Sequence, residues 1–301
     1  MSKIQISSKD DYLKSSFNND KETRAKMPVI KTGIKSLDEQ LQIRNGVHLV
    51  GGLPSAGKTT LLVQLADTFA SQGHETLFFS LEQNEYDLTI KSLNRIKNQY
   101  SLSDEEALNK YNSFADHIKT VTSTGSVTID ELCTVVRDFV SMHKKKPIIF
   151  IDYLQLLRTS KKLAKREEIE EISHQIINLS KEFGLTIFVL SSLSRANYLS
   201  PIDLESFKES GSLEYDADVV LGLQYQLIRE SAFVNTTSVD KKRLMLAQEK
   251  SKPTRRVELV CIKNRFGEMF DSCKLDYTPQ KDLFTEQITP VDKKQKNAKI
   301  L

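Results

Sequence analysis

The segment Gly52–Thr60, which reads GLPSAGKTT, has the residue types and spacing of a loop that binds the phosphates of a nucleotide. An apolar run precedes it and apolar residues recur at helical spacing after it, so the context is strand, loop, helix. Gly52 and Gly57 allow backbone conformations and close approaches that a Cβ would block. The freed N–H groups at the start of the helix would face the β- and γ-phosphates. Lys58 would reach the same phosphates, and the Thr59 hydroxyl would bind Mg²⁺.

This loop predicts a nucleoside triphosphate site with ATP and Mg²⁺ as the expected cofactors. The complete GxxxxGK[ST] spacing disfavours the alternative, a Gly-rich turn that binds nothing. The residues expected to line the site are Gly52, Pro54, Ser55, Ala56, Gly57, Lys58, Thr59 and Thr60.

Two carboxylates that follow apolar runs could complete such a site. Asp152 ends the run over 148–151, and a carboxylate at the carboxyl end of a buried strand fits the role of holding the Mg²⁺ shell. Glu82 follows the run over 76–80, and hydrolysis needs a group that orients or deprotonates the attacking water. A glutamate is also favourable at a helix N-terminus through the helix dipole, so the residues alone leave both readings of Glu82 open.

Composition and charge restrict the class of protein. With 301 residues, 39% of them hydrophobic, the chain is long enough for one large α/β core. A formal net charge of +3 is mild, so any nucleic-acid site must be a local patch. No apolar run approaches the roughly 20 residues that span a bilayer, the N-terminus is polar, and three cysteines lack metal-site spacing. We therefore expect a cytoplasmic protein without membrane association.

Apolar runs alternate with amphipathic patterns before residue 218, which predicts a parallel sheet covered by helices on both faces. The expected strands there are 47–50, 76–80, 118–121, 148–151 and 187–190, and the expected helices are 86–100, 104–117, 126–143 and 167–183. Within the helix over 86–100, the residues expected to face the core are Leu88, Ile90, Leu93 and Ile96. After residue 218, the sheet should end in an antiparallel extension, with a long polar connection over 224–240. The strands expected in this extension are 219–223, 243–247, 257–263 and 272–276.

The same patterns predict three segments. Residues 1–26 are polar and mixed in charge, as expected of an arm or a short linker helix with little core of its own. Residues 27–285 should form the α/β ATPase domain, and residues 286–301 a flexible Lys-rich tail.

Eight stretches follow one another over about residues 30–285. They read TGIKSLDEQL, GLPSAGKTT, FSLE, IDYLQLL, REEIEEIS, LSSLSR, KESGSLEYDAD and IKNRFG. In this order they resemble the C-terminal ATPase domain of DnaB-type replicative helicases, within the RecA-like group. IDYLQLL and ESGSLEYDAD are quite specific to that family, whereas TGxxxLD with the phosphate loop is shared with RadA and KaiC-like ATPases. The resemblance implies a RecA-like P-loop NTPase fold, with a mostly parallel central sheet flanked by helices and an antiparallel C-terminal extension.

The resemblance also implies roles for single residues. It gives phosphate and Mg²⁺ binding to Lys58 and Thr59, and the Mg²⁺-binding carboxylate to Asp152. Of the two readings of Glu82, it favours the catalytic base.

A basic pair near the C-terminus acquires a role only through the resemblance. In the family such a pair reaches the γ-phosphate bound by the neighbouring subunit, and here it would be Arg265 with Lys263. Their two-residue spacing places both side chains on one face of a strand, as a joint reach requires. Without the resemblance, two solvated charges on an edge strand would be the default interpretation. An arginine in this role makes hydrolysis depend on assembly.

Two positions depart from the family pattern. Ser192 stands where the family has a glutamine that links the γ-phosphate to the DNA loops, and a serine is too short to span the same gap. We still expect Ser192 to lie at the nucleotide. Lys208 replaces an arginine, which keeps the charge but loses the bidentate fork. Nucleotide binding should survive both changes, whereas coupling of hydrolysis to DNA movement is the property at risk.

The resemblance implies a DNA-contacting segment over 208–211, with Lys208, Glu209 and Gly211 as the residues concerned. Such contacts need a positive track and exposed N–H groups rather than base readout. A looser match is the basic loop formed by Lys161, Lys162, Lys165 and Arg166. For this loop, a solvated charged surface is an equally good interpretation.

The function expected from these patterns is an ATP-dependent helicase or translocase of the DnaB type that acts on single-stranded DNA in replication. It would form a homo-oligomer, expected to be a hexameric ring, with ATP hydrolysed between subunits and other replication proteins as possible partners. One alternative is a DnaB-like ATP-binding module that switches assembly or loads partners without unwinding. Another is a RadA or KaiC-like ATPase, which IDYLQLL and ESGSLEYDAD disfavour.

Overall fold

One sheet organises the part of the chain that the structure describes. The structure is a computed structural model that describes residues 30–123, 125–194, 198–210 and 212–287, without the side chains of 208–210. The predicted arm over 1–26, and residues 288–301 of the predicted tail, lie outside these ranges. Within them the strands are β1 (Gly46–Gly52), β2 (Thr76–Ser80), β3 (Ile118–Thr122), β4 (Ile148–Asp152), β5 (Thr186–Ser191), β6 (Val219–Tyr225), β7 (Arg255–Asn264), β8 (Ser272–Thr278) and β9 (Leu283–Glu286).

The strand order is β3-β2-β4-β5-β1-β6-β7-β8-β9. Strands β1 to β6 pair in parallel, and β7, β8 and β9 add to β6 as antiparallel neighbours. Every residue of β1, β2, β4, β5 and β6 is buried, as expected for strands covered on both faces. The predicted fold class is therefore confirmed, including its antiparallel extension.

Helices cover this sheet in the described ranges. They are α1 (Lys35–Gln40), α2 (Lys58–Ser71), α3 (Glu85–Tyr100), α4 (Asp104–Ala115), α5 (Ile129–His143), α6 (Lys165–Phe183), α7 (Leu213–Asp216), α8 (Ser231–Val234) and α9 (Val239–Ser251). Ser103 with Glu106 and Thr128 with Glu131 form capping boxes that begin α4 and α5. Gly184, in the left-handed conformation at φ 60°, ends α6.

The buried face of α3 differs from the prediction. Leu88 and Ile96 are buried as expected, but Ile90 is 43% exposed. Polar residues take part of the face instead, because Arg95 forms a buried ion pair of 2.8 Å with Asp67 on α2. An arginine that is satisfied by a buried carboxylate can occupy a core position that the hydrophobic period assigns to an apolar residue.

The C-terminal extension contains two further differences. The strand predicted over 243–247 is wrong, because these residues lie in α9. The Ser238 side chain caps this helix, and the lysine, arginine and glutamine around the short apolar run are good helix formers. The sequence pattern also gave no sign of β9, which pairs with β8 and completes the sheet.

The sheet brings the ends of distant segments together. The carboxyl ends of parallel strands lie at one edge, which is where ligands bind in α/β sheets. The ends of β1, β2, β4 and β5 carry the phosphate loop, Glu82, Asp152 and Ser192.

Candidate nucleotide-binding site

The loop between β1 and α2 has the shape of an anion cradle. Ser55 and Gly57 adopt left-handed conformations, with φ of 63° and 95°. The backbone N–H groups of Gly57, Lys58 and Thr59 have no acceptor among the described residues. Donors at a helix N-terminus without an acceptor in the protein are the groups that bind phosphate.

Tight packing explains both glycines of the loop. A Cβ on Gly57 would lie 2.7 Å from Cζ of Phe284 and 2.8 Å from Cε1 of Tyr277. A Cβ on Gly52 would lie 2.9 Å from the carbonyl oxygen of Leu223. The loop is therefore supported by β6, β8 and β9, which follow it far along the sequence.

The Lys58 side chain is folded into this loop. Its ammonium donates to the carbonyl oxygens of Gly52, at 3.0 Å, and Leu53, at 3.4 Å. Burial lowers the pKa of Lys58, while the carboxylates of Asp152 and Glu82 oppose that shift. The cation lies where it can exchange loop carbonyls for phosphate oxygens.

Thr59 and Asp152 meet across the sheet. The Thr59 hydroxyl donates to Oδ2 of Asp152 at 2.7 Å, so the predicted pair is brought together. Burial raises the pKa of Asp152 to about 6, and the nearby Glu82 carboxylate adds to this rise. A hydroxyl and a carboxylate oxygen are both hard ligands of the kind that Mg²⁺ prefers.

Glu82 lies beside this pair, two residues after the end of the neighbouring strand β2. Ser80 is in register with Asp152, and the Leu81 N–H donates to the Asp152 carbonyl oxygen at 2.9 Å. The Glu82 side chain is exposed, and α3 begins only at Glu85 behind the capping residue Asn84. Glu82 is thus a loop residue at the site rather than a residue of the first helical turn.

Ser192 follows β5 and contacts the segment after β4 through its backbone. Its N–H donates to Oε1 of Gln155 at 3.2 Å, and Nε2 of Gln155 donates to the Ser191 hydroxyl at 2.9 Å. Ser192 lies at the same edge as the phosphate loop. Gln155 was not singled out from the sequence, although it lies within IDYLQLL.

Lys263 and Arg265 lie at the opposite end of the sheet from the phosphate loop. Both side chains donate to the Tyr215 carbonyl oxygen, Arg265 at 3.1 Å, as expected of residues on one strand face. Arg265 is 50% exposed and also lies 3.5 Å from Asp218. It borders an open groove of about 360 Å³, whose other lining residues are His174, Ile177, Asn178, Lys181 and Asp216.

The strand register fixes this separation. Gly52 is in register with Leu223 at the phosphate-loop end, whereas Asn264 pairs with Val219. Arg255, at the start of the ten-residue strand β7, contacts the phosphate loop. Leu223 in turn pairs with Leu259 of β7, so at about 3.3 Å per residue Arg265 lies about 20 Å along the strand from the start of its own loop.

The residues predicted to contact DNA are only partly described. Lys208 and Glu209 lie in the 3₁₀ helix Leu204–Ser210, but their side chains are outside the described residues, as is Gly211. In the basic loop, Lys161 pairs with Glu171 at 2.5 Å and Arg166 with Glu170 at 3.3 Å. The other two cations of that loop, Lys162 and Lys165, are exposed.

Three residues near the phosphate loop were not predicted from the sequence. Arg255 donates to the Ser55 carbonyl oxygen at 2.7 Å, and the Tyr225 hydroxyl lies 3.5 Å from the Pro54 carbonyl oxygen. The Arg255 guanidinium lies 5.8 Å from the Tyr277 ring centroid. No motif marks these residues, because strands far along the chain bring them to the loop.

None of the helices in the described ranges combines the length and the apolar character needed to cross a bilayer.

Comparison with known families matches residues 29–286 to the family described as the DnaB-like helicase C terminal domain. A replicative DNA helicase DnaB of Helicobacter pylori is 29% identical over 295 residues, which covers 85% of this chain and 60% of that protein. The DnaB of Rickettsia felis is 31% identical over 235 residues, which covers 67% of this chain and 47% of that protein. The chain thus spans about half the length of these relatives.

Two solved structures share the fold. The first, described as an ATPase domain, has a TM-score of 0.73 at 21% identity and covers 94% of this chain and 100% of that one. The second, a DnaB-like replicative helicase described with its interactions with primase, has a TM-score of 0.72 at 19% identity. It covers 91% of this chain and 68% of that one.

Proposed function

Because this chain belongs to the family of DnaB-like helicase C-terminal domains, we propose that it is the ATP-hydrolysing part of a translocase on single-stranded DNA that acts in replication. The observation that carries this proposal is the contact of 2.7 Å between Thr59 and Asp152, with Lys58 folded into the adjacent loop. Glu82 follows the neighbouring strand β2, so the groups required for phosphoryl transfer to water converge at one sheet edge.

The loop provides the positive charge and the hydrogen-bond donors that the phosphates of ATP require. The N–H groups of Gly57 to Thr59 lack acceptors in the described chain, and Lys58 provides a nearby cation. Pro54, Ser55, Ala56 and Thr60 complete the loop around the phosphates. Thr59 and Asp152 would hold Mg²⁺, which when bound neutralises charge on the phosphate oxygens. The buried Asp152 carboxyl, with its pKa raised to about 6, supports this assignment because a cation would relieve the cost of its charge.

Glu82 is proposed as the general base. Its carboxylate is exposed and close enough to influence the pKa values of both Lys58 and Asp152. A carboxylate in this position can orient the attacking water and accept its proton. Ser192, which follows β5, is proposed to lie at the same nucleotide.

Arg265 and Lys263 are proposed to act on the nucleotide of a neighbouring copy. Arg265 lies about 20 Å along β7 from the level of its own loop, which argues against a role in the same chain. A head-to-tail contact of this kind can close into a ring, and we propose that the ring is a hexamer. An exposed guanidinium beside an open groove supports this role, because it can stabilise the charge of the transferred phosphoryl group.

Single-stranded DNA is the proposed polymer partner. Lys208, Glu209 and Gly211 are the residues proposed to face it, and Lys162 and Lys165 add exposed positive charge in a second loop. Phosphate contacts of this kind need no base readout. Other replication proteins are proposed as further partners.

Ser192 favours a second candidate function. A serine there cannot link the nucleotide to a DNA loop as a longer side chain would, and its N–H is engaged by Gln155. The chain could then bind ATP to switch assembly or load partners, without unwinding DNA.

The test is to measure ATP hydrolysis with and without single-stranded DNA, together with strand displacement on a forked duplex. The translocase proposal expects DNA-stimulated hydrolysis and displacement, both lost in Lys58→Ala. Hydrolysis or binding without displacement would favour the assembly switch, and failure of the wild type to bind ATP would contradict both.

A further inference from the structure

The connection between β6 and β7 carries a concentration of basic residues to the phosphate-loop edge. Its helix α9 and the residues before and at the start of β7 include Lys241, Lys242, Arg243, Lys250, Lys252, Arg255 and Arg256. Several of these have acidic neighbours, since Lys252 pairs with Glu249 at 2.5 Å and Arg243 lies 3.5 Å from Asp240. Lys250 and Arg255 are among those without an acidic partner in the described residues.

Arg255 is attached to the phosphate loop itself. Its Nη1 donates to the carbonyl oxygen of Ser55 at 2.7 Å, and its guanidinium lies over the Tyr277 ring. The Nε atom of Arg255 is buried and has no hydrogen-bond partner among the described residues. Arg255 therefore places a positive charge against the loop, at the residue where the backbone turns left-handed.

Lys250 lies in the last turn of α9, whose end packs against the start of β7. The Glu249 carboxylate accepts from the Arg256 N–H at 3.3 Å, which fixes the end of the helix against the start of β7. Lys250 is partly buried, and its side chain has no hydrogen-bond or ion-pair partner in the described ranges. Burial and the charge of Arg255 lower the pKa of Lys250.

Three cationic side chains, Lys58, Lys250 and Arg255, thus lie around one loop. Their mutual repulsion and partial burial make their positive charges unfavourable. A bound anion between these side chains would make their positive charges favourable. Phosphate is the anion for which a loop of this kind provides N–H donors. We propose that Lys250 and Arg255 are two additional phosphate-binding residues of the nucleotide site, supplied in the same chain by the segment between β6 and β7. This proposal rests on the nucleotide site proposed above.

The test is calorimetric titration of the full chain with Mg²⁺–ATP and, separately, with inorganic tripolyphosphate. Lys250→Gln should weaken binding of both about tenfold, as expected for the loss of one charge-assisted contact. Lys241→Gln is the matched control, because it removes the same charge from an exposed position of the same helix. The control should bind both ligands like the wild type, and Arg255→Lys should bind them more weakly than the wild type.

Equal affinities of Lys250→Gln and Lys241→Gln would overturn the proposal. Weaker ATP binding with unchanged tripolyphosphate binding would also overturn it, because the contact would then be to the nucleoside. If the wild type bound no ATP, or bound it unchanged after Lys58→Ala, the nucleotide site itself would be wrong, and this inference with it.

Discussion

Asp152 is a buried carboxyl whose ionisation lowers the stability of the fold when no cation balances its charge. Burial raises its pKa to about 6 from an ordinary value of 3.8. The folded state therefore binds this proton more tightly than the unfolded state. As pH rises from about 4 to about 6, ionisation costs the fold about 3 kcal/mol in the absence of a cation. Above that range the cost is constant.

We predict that Asp152→Asn raises the free energy of unfolding at pH 7.5 without Mg²⁺ by about 1–3 kcal/mol, because the amide avoids the buried charge. The difference from the wild type should shrink as pH falls toward 4. Denaturant unfolding at several pH values measures it, with Asp138→Asn as a control at an exposed position. A difference independent of pH would refute this account of Asp152.

The Glu82 side chain provides the second test at this scale. Glu82→Gln should lower the rate of ATP hydrolysis about 100- to 10,000-fold, because the amide cannot accept the proton of the attacking water. Affinity for ATP should stay within a few-fold of the wild type. Glu85→Gln is the matched control, since Glu85 is exposed in the first turn of α3. Equal losses in the two variants would remove Glu82 from the proposed mechanism.

The sequence predicts those site residues that a short contiguous pattern marks. Lys58 and Thr59 belong to a contiguous motif, and Asp152 ends an apolar run, so their meeting follows from a parallel sheet. Arg255 and Tyr225 were not predictable in the same way. They contact the loop across separations of 200 and 171 residues, and no short motif records such a contact.

At the scale of elements, regular patterns predicted most of the sheet and its helices. The helix predicted over 167–183 is α6, Lys165–Phe183, because a clean hydrophobic period leaves one face for the core. The pattern failed at α9, where only Leu246 and Glu249 are buried and the hydrophobic signal is therefore weak. A strand as short as β9 depends on pairing with β8, which local sequence does not encode.

The turn into α2 gives a prediction for this scale. Gly57→Ala should lower the free energy of unfolding by about 1–3 kcal/mol and abolish tight ATP binding. The new Cβ would meet Phe284 and Tyr277 at less than 3.0 Å while the backbone is held at φ 95°.

Gly73→Ala is the matched control for this change. Gly73 has a similar φ of 83°, but nothing lies within 4 Å of an added Cβ. In Gly73→Ala the free energy of unfolding should fall only by the strain of an alanine in the left-handed region, about 1 kcal/mol. This variant should keep ATP binding. Thermal unfolding and nucleotide titration compare the two, and equal behaviour would show that crowding at the loop is unimportant.

At the scale of the whole molecule, the two halves of the proposed site lie at opposite ends of the sheet. The phosphate loop follows β1, whereas Arg265 follows β7 about 20 Å away along the strand direction. On the proposal made above, one chain supplies the phosphate loop that binds one nucleotide and the arginine that acts on another. Activity should be a property of the interface between copies, and neither half should suffice alone.

Mixing two inactive variants tests this claim most directly. Lys58→Ala removes the binding half and Arg265→Ala the trans-acting half, so each variant alone should hydrolyse ATP at least about 1,000-fold more slowly than the wild type. When the two are co-assembled in equal amounts, about a quarter of head-to-tail interfaces combine an intact loop with an intact arginine. We predict that the mixture recovers hydrolysis to about that fraction of the wild-type rate. A mixture that demonstrably co-assembles yet stays inactive, or an Arg265→Ala variant with full activity in its assembled form, would contradict a site shared between copies.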